Sequence, residues 1–175
     1  PSPRGYFRTA PDPSAVEDAV EILAAAERPT MLVGDRVAQS GASAAAVRVA
    51  ELLGAGVYAS SYSEMNFPTT HPQYMGSIRL GFPESREARW SADAVLAVGK
   101  LTTGYYMFSK PVMRYYGPQT RLIHLDSDAG AVGSTQPTDV GIVADPKVAL
   151  ESLATELEAT MSGSARETAK GRAVA

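Results

Sequence analysis

Apolar residues follow two rhythms along this chain. Five short runs are unbroken or nearly so: "TMLVGD" (30–35), "GVYAS" (56–60), "DAVLAVGK" (93–100), "TRLIHLDSD" (120–128) and "DVGIVAD" (139–145). Runs without polar alternation suit strands covered on both faces, as in parallel sheets. Between the runs the spacing becomes helical. Val16, Val20 and Leu23 recur at that interval, as do Val49, Leu52 and Leu53, and later Leu150, Leu153 and Leu157.

Local signals set the boundaries. Ser14 and Glu17 form an S-x-x-E capping box for a first helix, which ends before Pro29 because the residue preceding a proline is pushed out of the helical region. Ser40 is the expected N-cap of a helix over 40–56, with glycine at its exit. "ESREARWSA" (84–92) predicts a short helix, and 101–120 a long connection containing another. Asp145 and Pro146 mark the cap and first position of the last helix. Residues 1–13 hold four prolines and no periodicity, so they read as a linker or arm; from Met161 the chain turns small and polar, predicting a flexible tail over 161–175. One domain over 14–160 remains. Its alternation of strand and helix predicts an α/β fold, a mostly parallel sheet with helices on both faces.

Composition narrows the partners. A formal net charge of −3 and a pI near 5.4 argue against nucleic acid or an anionic membrane surface, both of which would call for a lysine and arginine patch. No apolar run approaches the roughly 18 residues of a membrane span. With neither a leader sequence nor a starting methionine, the chain reads as a segment of a longer polypeptide. Zero cysteines remove disulfides, thiolate metal sites and cysteine nucleophiles, and fit a reducing cytoplasm.

Ligands on parallel sheets gather at the carboxyl ends of the strands. Gly34, Asp35 and Arg36 stand there, with Ser60 and Ser61, Gly99 and Lys100, Asp126 and Asp128, and Asp145. "VGDRVAQSGA" has glycines before a helix but neither the G-x-G-x-x-G nor the Walker pattern. In "HLDSDAG" the aspartates could accept bonds from a ribose, though capping the following turn is the commoner outcome; His124 reads as a packed ring with one satisfied nitrogen. No G-x-S-x-G elbow occurs. "NFPTTHPQYMGS" (66–77) concentrates His71, two prolines and Gly76, and reads as a rigid crossover rather than a catalytic loop. "GYYMFSKPVMRYYG" (104–117) reads as a contact surface for another domain or subunit.

Seven segments in order, "ILAAAERPTMLVGD", "SGA", "AELLGAGVYAS", "FPTTHPQYMG", "SADAVLAVGK", "RLIHLDSD" and "VGIVADPKVAL", resemble the central domain of thiamine-diphosphate-dependent enzymes over roughly residues 14–157. That is the family of acetolactate synthase, benzoylformate decarboxylase, pyruvate oxidase and oxalyl-CoA decarboxylase. The resemblance implies a three-layer Rossmann-like sheet of the DHS-like NAD/FAD-binding type. Six strands are then expected, one more than the five runs, with the sixth at an edge. It also implies flanking pyrimidine- and diphosphate-binding domains in a homo-oligomeric, cytoplasmic enzyme that uses thiamine diphosphate and magnesium.

The family's reactive parts are not in this chain. It has no G-D-G magnesium signature, and the activating glutamate belongs to the pyrimidine-binding domain. The expectation is therefore no catalytic residue, no metal site and no cofactor in these residues, within a decarboxylase or acetolactate-synthase-like lyase or transferase. Some branches hold FAD or ADP in this domain. "KLTTGYYMF" replaces the flavin branch's arginine–phenylalanine–aspartate stretch, and Asp35 would repel a diphosphate unless Arg36 compensates, so FAD is disfavoured. An ADP-type site would use Gly34, Arg36, Gly99, Asp126 and Asp145. The alternatives are a nucleotide-binding or regulatory module with this fold, and a NAD-dependent deacylase, which would need a catalytic histidine in its own setting and a glycine-alanine-glycine NAD loop, whereas the run at 54–56 joins a predicted helix to a predicted strand.

Overall fold

A computed structural model describes residues 8–60, 65–78, 91–99, 116–134 and 136–173. The predicted helix at 84–92 and the loop at 104–117 lie outside the described residues, apart from their last positions, as do Ser61 and Lys100. In chain order the elements are α1 (Pro13–Ala25), β1 (Pro29–Val33), α2 (Asp35–Ser40), α3 (Ser43–Leu53), β2 (Gly56–Ser60) and β3 (Tyr74–Ile78). Then come β4 (Ala94–Val98), β5 (Arg121–Asp126), β6 (Val140–Val143), α4 (Pro146–Thr160) and α5 (Gly163–Ala173). The six strands form one sheet in the order β3-β2-β1-β4-β5-β6, and every pairing is parallel.

Burial explains which strands the apolar runs reveal. All five residues of β4 are buried, as are five of six in β5, because each has a neighbour on either side and cover on both faces. Met31, Val33, Leu96, Val98, Ile123, Leu125 and Ile142 point to one face. There they meet Val16, Val20 and Leu23 of α1, Val49 and Leu53 of α3, and Leu150, Leu153 and Leu157 of α4. The opposite face carries a smaller cluster of Ala92, Val95, Ala97, Tyr116 and Leu122.

The sixth strand is β3, and it occupies one edge of the sheet, with β6 at the other. It comes from the end of the run read as a rigid crossover, so that reading holds for Phe67 to Gln73 and fails from Tyr74 onward. Tyr74 pairs with Val57 and Gly76 with Tyr58, leaving Met75 as an extra residue in a β-bulge. Gly76 has φ +100°, a backbone region costly for residues with a side chain. The bulge also blunts the outer edge against further pairing.

Carboxylates staple the amino edge of the sheet. Asp93, just before β4, accepts from the backbone N–H groups of Glu27 and Arg28 at 2.8 and 2.9 Å, fixing the approach to β1. Asp139, just before β6, accepts from Leu122 N at 2.8 Å and Arg121 Nε at 2.6 Å at the start of β5. Each acid ties its own strand to the neighbour's first residues, which fixes register where the apolar pattern alone would not.

Three helix boundaries differ from expectation. Asp12, not Ser14, caps α1: its carboxylate accepts from Ser14 N at 2.9 Å and Ser14 Oγ at 2.7 Å, and Pro13 takes the first turn. The helix expected over 40–56 is α3 alone, starting after Ala42; Ser40 instead ends α2, donating to the Arg36 carbonyl at 2.7 Å, and Gly41 turns the chain at φ +69°. The tail expected to be flexible contains helix α5, whose Ala169 is buried.

Candidate functional site

The order β3-β2-β1-β4-β5-β6 reverses direction between β1 and β4, and a crevice at the carboxyl ends is expected there. Gly34 leaves β1 and Gly99 leaves β4 at that point. Their amides continue the ladder outward: Gly34 N donates to the Val98 carbonyl and Gly99 N to the Leu125 carbonyl, both at 2.8 Å. The three strand tips are thus tied side by side.

Arg36, in the first turn of α2, lies across them. A Cβ on Gly99 would sit 2.9 Å from Arg36 Cβ and 3.2 Å from Arg36 N, and Gly99 has φ +79°, so glycine is required twice over. Arg36 Nε faces Asp126 Oδ1 at 3.7 Å, beyond good hydrogen-bonding distance; the Asp126 side chain is 2% exposed and that of Arg36 45%. Asp126 Oδ1 also accepts from Asp128 N at 2.9 Å, and Asp128 Oδ1 from Gly130 N at 2.9 Å. These are consecutive Asx turns, the commoner of the two outcomes weighed for this pair.

Gly34, Arg36, Gly99 and Asp126 therefore come together, and Asp145 does not join them through its side chain. Its Oδ1 accepts from Lys147 N at 2.9 Å and Val148 N at 3.2 Å, capping α4, and pairs with Arg8 Nη1 at 3.2 Å. A residue the sequence reading passed over, Asn66, is buried beside the crevice. It accepts from Ala38 N at 3.1 Å and donates to Asp35 Oδ1 at 3.4 Å, holding α2. Its only signal was an amide in the connection after β2, which sequence alone cannot distinguish from an ordinary turn residue.

Both histidines are structural in their contacts. His124 Nδ1 accepts from Gly133 N at 3.3 Å, so the neutral ring carries its proton on Nε2, and that atom is buried without a hydrogen-bond partner. Burial lowers the His124 pKa below the ordinary 6.5, with the Asp126 carboxylate and the Gly99 backbone pulling weakly the other way. His71 lies near the carboxyl end of α3, at the amino edge of the sheet and remote from the crevice. Its Nε2 is 3.4 Å from Glu51 Oε1, its Nδ1 accepts from Gln73 N at 3.3 Å, and Phe67 meets its ring edge-on at 5.2 Å.

Among the described residues no group of three or more histidine, aspartate or glutamate side chains is arranged to hold a metal ion. At the crevice Asp126 and Asp128 each accept from a backbone N–H group, and Asp35 accepts from the Asn66 amide. Such a donor set does not fit a magnesium–diphosphate group. α2 has only six residues, too short for its first turn to make a strong anion site.

Comparison with known proteins agrees with this architecture. The sequence model described as "Thiamine pyrophosphate enzyme, central domain" matches residues 16–153, and the chain belongs to that family. It is 31% identical over 150 residues to the "Probable acetolactate synthase large subunit" of Methanocaldococcus jannaschii, covering 83% of this chain and 24% of that one. It is 30% identical over 159 residues to the sulfoacetaldehyde acetyltransferase of Roseovarius nubinhibens, covering 89% of this chain and 26% of the relative. Among solved structures, the thiamine diphosphate-dependent 4-hydroxybenzoylformate decarboxylase of Rhodococcus jostii RHA1 superposes with a TM-score of 0.75 at 29% identity, covering 89% of this chain and 29% of that one. The chain spans about a quarter of the length of the curated relatives it matches.

Proposed function

We propose that residues 14–160 are the spacer domain of a thiamine-diphosphate-dependent decarboxylase or acetolactate-synthase-like carboligase, a lyase or transferase. The domain orients the pyrimidine- and diphosphate-binding domains and contributes no catalytic group. Thiamine diphosphate and magnesium are held by those flanking domains, in a cytoplasmic homo-oligomer. The observation that carries this reading is how the described strand tips pack on one another. Arg36 fills the space above Gly99, and Asp126 is committed to the turn that follows β5. A rigid sheet with its tips stapled at both edges suits a part that sets distances, since such a part must resist deformation.

The purified chain, dialysed against thiamine diphosphate and magnesium, should retain neither and should not turn over pyruvate or benzoylformate. Retention of the cofactor, or release of carbon dioxide from either acid, would overturn the spacer reading.

A further inference from the structure

The last helix, α5, begins ten residues beyond the end of the family match and is weakly amphipathic, yet it is firmly docked. α1 ends at Ala25 shortly before β1, and α3 ends at Leu53 shortly before β2, so both helices finish at the amino edge of the sheet. The Arg172 guanidinium lies between these two ends. Its Nη2 donates to the Leu53 carbonyl at 2.8 Å, and its Nη1 faces the Ala26 and Glu27 carbonyls at 3.3 and 3.4 Å. A cation there meets the unpaired carbonyls and the negative ends of two helix dipoles together. Its Nε is buried without a partner, which offsets part of the gain.

The helix surface is shaped for the same contact. Gly54 closes α3 at φ +61°, and a Cβ placed on it would come within 2.1 Å of the Ala169 carbonyl. The backbone of α5 therefore rests directly on Gly54, with Ala169 itself 1% exposed. At its other end Arg166 donates to the Glu158 carbonyl in the last turns of α4, and Glu158 is held by Arg48 of α3 through a two-pronged pair at 2.8 and 2.6 Å. Three helices are thereby joined through α5.

We propose that residues 163–173 are a strap, locked by Arg172 onto Gly54 and the carboxyl ends of α1 and α3, that fixes the path by which the chain leaves the domain. That path runs along the amino edge, opposite the crevice where Arg36 and Gly99 meet. The inference goes beyond the spacer reading and does not depend on it, since a ligand-binding domain could carry the same strap.

The chain has no cysteine, so paired spin labels can be introduced at exposed Glu21 and Lys170 (E21C and K170C). Dipolar spectroscopy on this 175-residue background should give one narrow distance distribution. R172A should at least double its width, and G54A should do the same by steric displacement. Amide exchange should meanwhile show β1, β4 and β5 still protected. A broad distribution in the starting protein, or an unchanged width in R172A, would overturn the strap. If R172A also loses sheet protection, the milder R172K decides by the same criterion: greater width supports the lock, and unchanged width contradicts it.

Discussion

The Arg36 side chain occupies the space that a side chain on Gly99 would need, 2.9 Å from its ideal Cβ position. Gly99→Ala should therefore destabilise the domain by about 1–3 kcal/mol, combining left-handed strain with the clash. The same substitution in an Arg36→Gly background should cost less, because the Cβ that obstructs it is gone. A double-mutant cycle from chemical denaturation reads the coupling; strictly additive losses would show that the two residues do not share the space.

The acid staples at the amino edge make a second prediction. Asp93→Ala removes two acceptors of backbone N–H groups and should cost roughly 1–2 kcal/mol. Asp139→Ala should cost a similar amount through Leu122 and Arg121. The urea midpoint should fall while its slope stays constant. An unchanged midpoint in both variants would show that register is set without the staples.

Stability should also depend on pH through His124. Its folded pKa lies below the ordinary 6.5, so the unfolded chain binds the proton more tightly. Stability is complete above about pH 6.5 and is lost as pH falls from there toward the folded value. Asp12 and Glu158, held low by Ser14 and by Arg48, act only in the more acidic range below 3.8 and 4.5. Urea unfolding across pH 7 to 5 should show the loss, and His124→Asn should flatten it. An equal slope in the variant would assign the effect to another group.

Asp145→Ala should cost about 1 kcal/mol by removing the cap of α4. The Arg8 pair is partly exposed and adds little. Thermal unfolding measures this directly; a loss beyond about 3 kcal/mol would mean that Asp145 does more than cap.

What the sequence disclosed follows from burial. β1, β4 and β5 lie inside the sheet, so their runs are apolar almost throughout. β3 has one neighbour, a bulge and an exposed Met75, and "YMGSI" carries no such signal. α5 was hidden for a different reason: its place depends on Arg172 reaching carbonyls more than a hundred residues away, which no local spacing encodes. The site was partly legible because parallel strands place their carboxyl ends together, bringing Gly34, Arg36, Gly99 and Asp126 to one crevice. Asp145 stands at a strand tip too, but a proline-started helix claims its carboxylate.

The central claim is that these strand tips are filled by their own side chains. Isothermal titration of the purified chain with ADP, FAD and a CoA ester tests it most directly. The account predicts no saturable heat with any of the three. Saturable binding of ADP that Arg36→Ala abolishes would contradict it and make the crevice a nucleotide site.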